Sequence, residues 1–338
     1  MRALVALGLV ALGLVLLSGC HDWDSLSRGY HTEAGTHLDG PRVDLARADG
    51  RGEGAPRDAP TADGGRRCSF SGSFSFEAPQ LLAVSSGASE LDPFVTADGL
   101  TLYFSSDRAS ASHFEVFVAK RGGLAEPFGG ASSLGLAGEA THFALSSDGL
   151  TAYVAAEWSG GTGLSDLWYA TRSSLTQPFV QADFALLTVA STTDWEFDPT
   201  PSSDGRRLYY AAVGSGGMDC LFLERATAAA AYSGPKLVPG INTADGEDSP
   251  ALTADQRVIV FGSTRPGTAG AADLWYALRG DRDAAFPAPA RLPVVNSDAK
   301  EMDPFLSADG CELYFVSDRA GGAGGLDLYH TRYVQLGP

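Results

Sequence analysis

"ELDPFVTADGLTLYFSSDR", Glu90 to Arg108, returns as "EMDPFLSADGCELYFVSDR", Glu301 to Arg319, with thirteen of nineteen residues identical. A catalytic motif occurs once per active site, so a long string used twice in one chain points to architecture first. Aligned on its Asp-Gly turn, the string extends to five copies, at Asp98, Asp148, Asp204, Asp255 and Asp309, spaced by 50 to 56 residues. The fourth copy carries Gln256 in place of the Gly. Ser or Thr stands two residues before each Asp, and apolar or aromatic residues follow, as in Leu102-Tyr103-Phe104 and Leu313-Tyr314-Phe315. A side-chain oxygen ahead of Asp-Gly is turn chemistry, so the flanks read as two strands joined by a tight hairpin.

Each copy continues into a third short strand, beginning at Glu115, Asp166, Asp219, Asp273 and Asp327. A fourth segment is marked by an aromatic residue: Phe76, Phe128, Phe179, Tyr232 and Phe286. Four strands per repeat is the unit of a propeller blade, a small twisted sheet that buries its faces only against its neighbours. The sequence therefore predicts an all-β protein, a five-bladed β-propeller of four-stranded antiparallel blades. The repeat region starts with a fourth-strand segment, Phe76 to Leu82, and ends after a third strand. An N-terminal strand is thus expected to complete the last blade and close the ring.

The chain has 338 residues, 44% of them hydrophobic, enough for a substantial core. Its net charge of -17 excludes nucleic acid, since no row of Lys and Arg is available to neutralise phosphates. A cationic protein surface or a metal ion would be electrostatically welcome. Ahead of the repeats, Arg2 precedes an apolar run from Ala3 to Leu17, too short for a membrane span and suited to an export signal. Leu17-Ser18-Gly19-Cys20 resembles a bacterial lipobox. The expected organisation is a lipoprotein signal over residues 1–19, a lipidated Cys20 with a flexible tether over 20–67, and the propeller over 68–338. Membrane contact would then run only through the lipid, in the cell envelope, with the outer membrane facing the periplasm, or the cell surface, favoured. His21, His31 and His37 lie at irregular spacing in the tether and carry no metal motif. Cys68, Cys220 and Cys311 allow at most one disulfide, and Cys220 sits at an apolar position of the repeat.

The run E-x-D-P, [ST]-x-D-G, L-Y-F, S-D-R and D-L-Y resembles the WD-like propeller repeats of the TolB-like family of exported proteins. The resemblance covers residues 76 to 333 and is sharpest in copies one and five. It implies a non-enzymatic module that binds an envelope protein or lipoprotein partner, with peptidoglycan or another glycan as the alternative ligand. No cofactor is implied, although Ca2+ could serve a structural ring.

Carboxylates recur ahead of and within the first strand of the copies: Glu90 and Asp92, Glu139, Glu196 and Asp198, Glu247, Glu301 and Asp303. They are expected to ring the mouth of the central channel. Five-bladed glycoside hydrolases use such carboxylates as an acid and base pair. Repetition gives them like environments, however, whereas catalysis needs unlike ones. The partner site is expected where the repeat fails, in copies two and three. There the Arg seen at Arg108, Arg265 and Arg319 is missing, and Glu139, His142, Glu157, Trp158, Asp194, Trp195, Glu196 and Asp198 cluster in the alignment.

Overall fold

The computed structural model describes residues 67–336 apart from 69, 112 and 215. The expected signal, Cys20 and nearly all of the tether lie outside the described residues. Among the described residues, no helix is long and apolar enough to cross a membrane.

The five copies are five antiparallel sheets arranged as a propeller. The innermost strands are Glu90–Val95, Ala140–Leu145, Glu196–Pro201, Glu247–Leu252 and Glu301–Leu306, for blades one to five in chain order. Each turns at its Asp-containing hairpin into a second strand, for example Thr101–Ser106 in blade one and Glu312–Ser317 in blade five. The turn chemistry is the expected one: Thr96 Oγ1 donates to Asp98 Oδ1 at 2.6 Å, and Asp98 Oδ1 accepts the Leu100 N–H at 3.0 Å. The core is not one mass but apolar layers between successive sheets. One such layer joins Tyr209, Phe222, Ile259, Phe261 and Trp275 of blades three and four.

Closure follows the expected route. The last blade's third strand, Asp327–Gln335, pairs with Phe74–Phe76 and with Gln80–Leu81 from the N-terminal end of the ring. Phe70, Phe74 and Phe76 bury their rings against Tyr333. A disulfide joins Cys68 to Cys311 across 243 residues, leaving Cys220 as a buried free thiol.

A second periodic device holds the outer strands of the other blades. Arg121, Arg172, Arg225 and Arg279 directly follow the third strands, and each stacks on the aromatic residue seven positions later, 4.1 to 4.6 Å from the centroid of Phe128, Phe179, Tyr232 or Phe286. The same guanidinium donates to a carbonyl of its blade's turn, as Arg121 Nε does to Gly99 at 2.6 Å. One side chain thereby ties the third strand, the fourth and the first hairpin together.

Candidate functional site: the floor of the axial cavity

A cavity of about 680 Å3 occupies the propeller axis and opens on the face that carries the Asp-containing hairpins. Its floor is made by one residue from each innermost strand: Asp92, His142, Asp198, Ser249 and Asp303. All five have a positive φ, between 47° and 57°, and in every blade the strand pairing slips at this point. A β-bulge with a left-handed residue re-aims a side chain out of the regular alternation. Left-handed backbone is unfavourable for residues with a Cβ, so its repetition in all five blades marks a geometric demand of the fold rather than an accident.

The floor is tied across blade boundaries. Asp303 accepts the N–H of Asp92 at 3.4 Å, Asp92 Oδ2 accepts the N–H of His142 at 3.2 Å, and Asp198 Oδ2 accepts the N–H of Ser249 at 2.9 Å. A carboxylate at this position thus staples its blade to the next, which is a structural reason for its recurrence. Blades two and four break the series with His142 and Ser249. Ser249 donates its hydroxyl among Asp198, Asp248 and Asp303 at 3.0 to 3.2 Å. His142 places Nε2 2.9 Å from Asp92 Oδ1 and 2.8 Å from Asp198 Oδ1, with its ring stacked on Phe197.

These groups titrate unlike their free counterparts. Burial pulls the His142 imidazolium down, but the Asp92 and Asp198 carboxylates together outweigh it and hold its pKa well above 6.5. Burial likewise works against the Asp92 carboxylate, and the neighbouring His142 charge, with hydrogen bonds from the His142 backbone N–H and Ser105, overcomes it, so that its pKa is lowered. Asp303 goes the other way: burial, then the Asp92 and Asp198 charges, push it well above the usual carboxylate range. Asp248 is raised to about 7, by burial and then by Asp198.

The remaining expected residues are distributed differently. Glu90, Glu247 and Glu301 do not rim the channel. They are fully buried at the start of their strands, where Arg108, Arg265 and Arg319 meet them at 2.8, 3.1 and 2.9 Å. Each also receives a serine hydroxyl from the adjacent second strand, Ser106, Ser263 or Ser317. Glu196 occupies the same position in blade three, fully buried, but pairs across the sheet with Ala212. Its pKa is raised to about 7, by burial first and then by the nearby Asp166 and Asp194 charges, against the hydrogen bonds from Thr192. In blade two the structural counterpart is Ala140, not Glu139, because Ala140 faces Ala156. Glu139 instead accepts the Phe114 N–H at 3.1 Å. Trp158 takes the place of the arginine, donates to the Ala137 carbonyl at 2.8 Å and packs on Trp168 and Phe184. Trp158, Glu157, Asp194 and Trp195 lie at the strand ends opposite the cavity's opening. Of the eight residues expected to form one site, only His142 and Asp198 meet in the cavity. The walls and rim were not foreseen: Phe94 and Phe305 pack edge to face at 5.2 Å, and Asp98, Asp148, Leu124 and Leu175 stand at the opening.

No protein-family profile matches the chain, and neither does any curated protein. Solved structures share the architecture. TolB from Acinetobacter baumannii is 14% identical, with a TM-score of 0.46 over 73% of this chain and 55% of its own. Xylan β-1,4-xylosidase from Bacillus halodurans C-125 is 16% identical, with a TM-score of 0.50 over 75% of this chain and 54% of its own. A family 117 glycoside hydrolase from Zobellia galactanivorans is 11% identical, with a TM-score of 0.49 over 77% and 90%. The chain spans about half the length of that TolB and of the xylosidase. The likeness to the xylosidase is one of fold alone.

Proposed function

We propose that this propeller is a non-catalytic binding module of the cell envelope, anchored by lipid at Cys20, and that it receives a basic segment of a protein partner over the axial cavity. The observation that carries the reading is the composition of the opening. Asp98 and Asp148 stand exposed beside Leu124 and Leu175, 41% and 64% exposed, around a cavity whose floor holds further carboxylates. Apolar side chains among negative charges suit a segment that offers both Lys or Arg and aliphatic groups. The floor carboxylates are occupied by backbone N–H groups of the next blade, which supports holding over turnover.

A glycoside hydrolase is the second reading, and one observation favours it. Asp92 and Asp303 share the cavity with their acidities pushed in opposite directions, the arrangement an acid and base pair requires.

A photo-reactive residue placed at Leu175 or Leu124 should capture the partner in intact cells, whereas one at Leu237, exposed on the outer strand of blade three, should not. Capture should fall when Asp98 and Asp148 are both changed to Asn. Capture at Trp195 instead would move the partner to the opposite face. Hydrolysis of a glycan panel that Asp303→Asn abolishes would replace the binding reading with the catalytic one.

A further inference from the structure

We infer that Asp92, His142 and Asp198 form a binding site for a divalent first-row transition-metal ion at the floor of the axial cavity. Three blades contribute one donor atom each, Asp92 Oδ1, His142 Nε2 and Asp198 Oδ1, and these atoms all lie within 4.8 Å of one another. The arrangement is that of ligands held from behind. Asp92 Oδ2 is fixed by the His142 N–H, and Asp198 Oδ2 by the Ser249 N–H and hydroxyl, so both carboxylates present their other oxygen to a common point. His142 Nδ1 lies 2.7 Å from Thr141 Oγ1. With Nδ1 donating its proton to that hydroxyl, an ion that displaces the Nε2 proton would meet the Nε2 lone pair beside the two oxygens, and the Thr141 contact is of the kind that orients metal-bound imidazoles.

A second observation points to a cation at this place. An imidazole carries at most one proton on Nε2, and that proton cannot be aimed at two oxygens at once. Asp92 Oδ1 is accordingly buried with no hydrogen bond, although Nε2 lies 2.9 Å away. A buried acceptor without a hydrogen bond is costly, and a divalent ion at the meeting point would satisfy both carboxylates and the imidazole together. One nitrogen with two carboxylate oxygens favours ions such as Zn2+ or Mn2+ over Ca2+ or Mg2+, which take all-oxygen sets. The remaining coordination positions would face the cavity.

The site is separate from partner docking at the rim, and its test needs no partner. Zn2+, Mn2+ and Ca2+ are titrated calorimetrically into the chelator-stripped full chain. The expected result is one tight equivalent of Zn2+ or Mn2+ and weaker Ca2+, with that equivalent weakened at least about 100-fold in His142→Gln and in Asp92→Asn. Glutamine can still donate to both carboxylates, so His142→Gln should keep the wild-type near-ultraviolet circular dichroism while losing the ion. Equal Zn2+ uptake by wild type and His142→Gln would place the ion elsewhere, on the tether histidines for instance, and overturn the inference. So would absence of uptake by the wild type, or Ca2+ binding as tightly as Zn2+.

Discussion

Glu196 and Glu301 begin the innermost strands of their blades at the same position, yet Glu301 meets Arg319 at 2.9 Å while Gly214 stands where blade three would carry that arginine. Both carboxyl groups are fully buried. Removing a cation from a buried pair leaves a charge that is expensive to hold, and the group responds by keeping its proton.

The first prediction follows from the Glu196 pKa, raised to about 7. The unfolded chain releases this proton near pH 4.5, the folded chain only near 7, so between those values the folded state binds more protons. Stability contributed by the protonated group is therefore present at low pH and lost as pH rises from about 4.5 to about 7. The shift corresponds to about 3 kcal/mol. Glu196→Gln should be more stable than wild type at pH 8, by up to that amount in urea unfolding, and no more stable at pH 4. Parallel pH profiles for the two proteins would remove Glu196 as the cause.

In blade five the same glutamate is compensated, so the sensitive partner is the arginine. Arg319 donates to Ser317 and to the Val295 carbonyl as well as to Glu301. Arg319→Ala should cost about 3–5 kcal/mol at pH 7. The double change Arg319→Ala with Glu301→Gln should recover part of it. A loss unchanged by the second substitution would assign the cost to lost packing on Phe315 and Tyr329, over which the guanidinium lies.

The blades were legible because hairpin turns and strand alternation are local and repeat five times. The Arg-to-aromatic interval of seven, from Arg121 to Phe128 through Arg279 to Phe286, was equally present in the sequence and shows that a periodic pair can bind an outer strand too irregular to read as one. The site was legible only in part. His142 and Asp198 stood out as departures or carboxylates, but their meeting depends on bulges that turn them inward, and a bulge leaves little trace in composition. Glu90, Glu247 and Glu301 were misplaced at the channel mouth because a charged residue suggests a surface, whereas the packed sheet buries each one beneath the arginine two residues after the second strand.

Trp158 provides a further test. It is half-buried, hydrogen-bonded to Ala137 and wedged against Trp168 and Phe184. It replaces an arginine where Ala140 has replaced the glutamate, so an apolar contact substitutes for an ion pair. Trp158→Ala should lower stability by roughly 2–4 kcal/mol, and Trp158→Phe should lower it less. A full loss of partner capture at unchanged stability would instead make Trp158 a contact residue.

The last prediction concerns closure. Among the described residues, the strand Asp327–Gln335 is covered on its outer edge by Phe74–Phe76 and Gln80–Leu81 alone, and Cys68 is bonded to Cys311 in the turn that precedes the second strand of the same blade. The disulfide therefore holds the covering strands on the blade, and it restricts the unfolded chain through a loop of 243 residues. Replacing both cysteines with serine should cost about 2–5 kcal/mol and lower Tm by roughly 5–15 °C, with the propeller still folded. Starting the chain at Glu90 should do more, because it removes Phe70, Phe74 and Phe76 from the core and uncovers a nine-residue edge. Unpaired edges recruit other chains, so this shortened protein should aggregate on light scattering under conditions where the double serine variant stays monomeric. A shortened chain that remained monomeric with the wild-type Tm would mean that the N-terminal strands decorate the ring rather than close it.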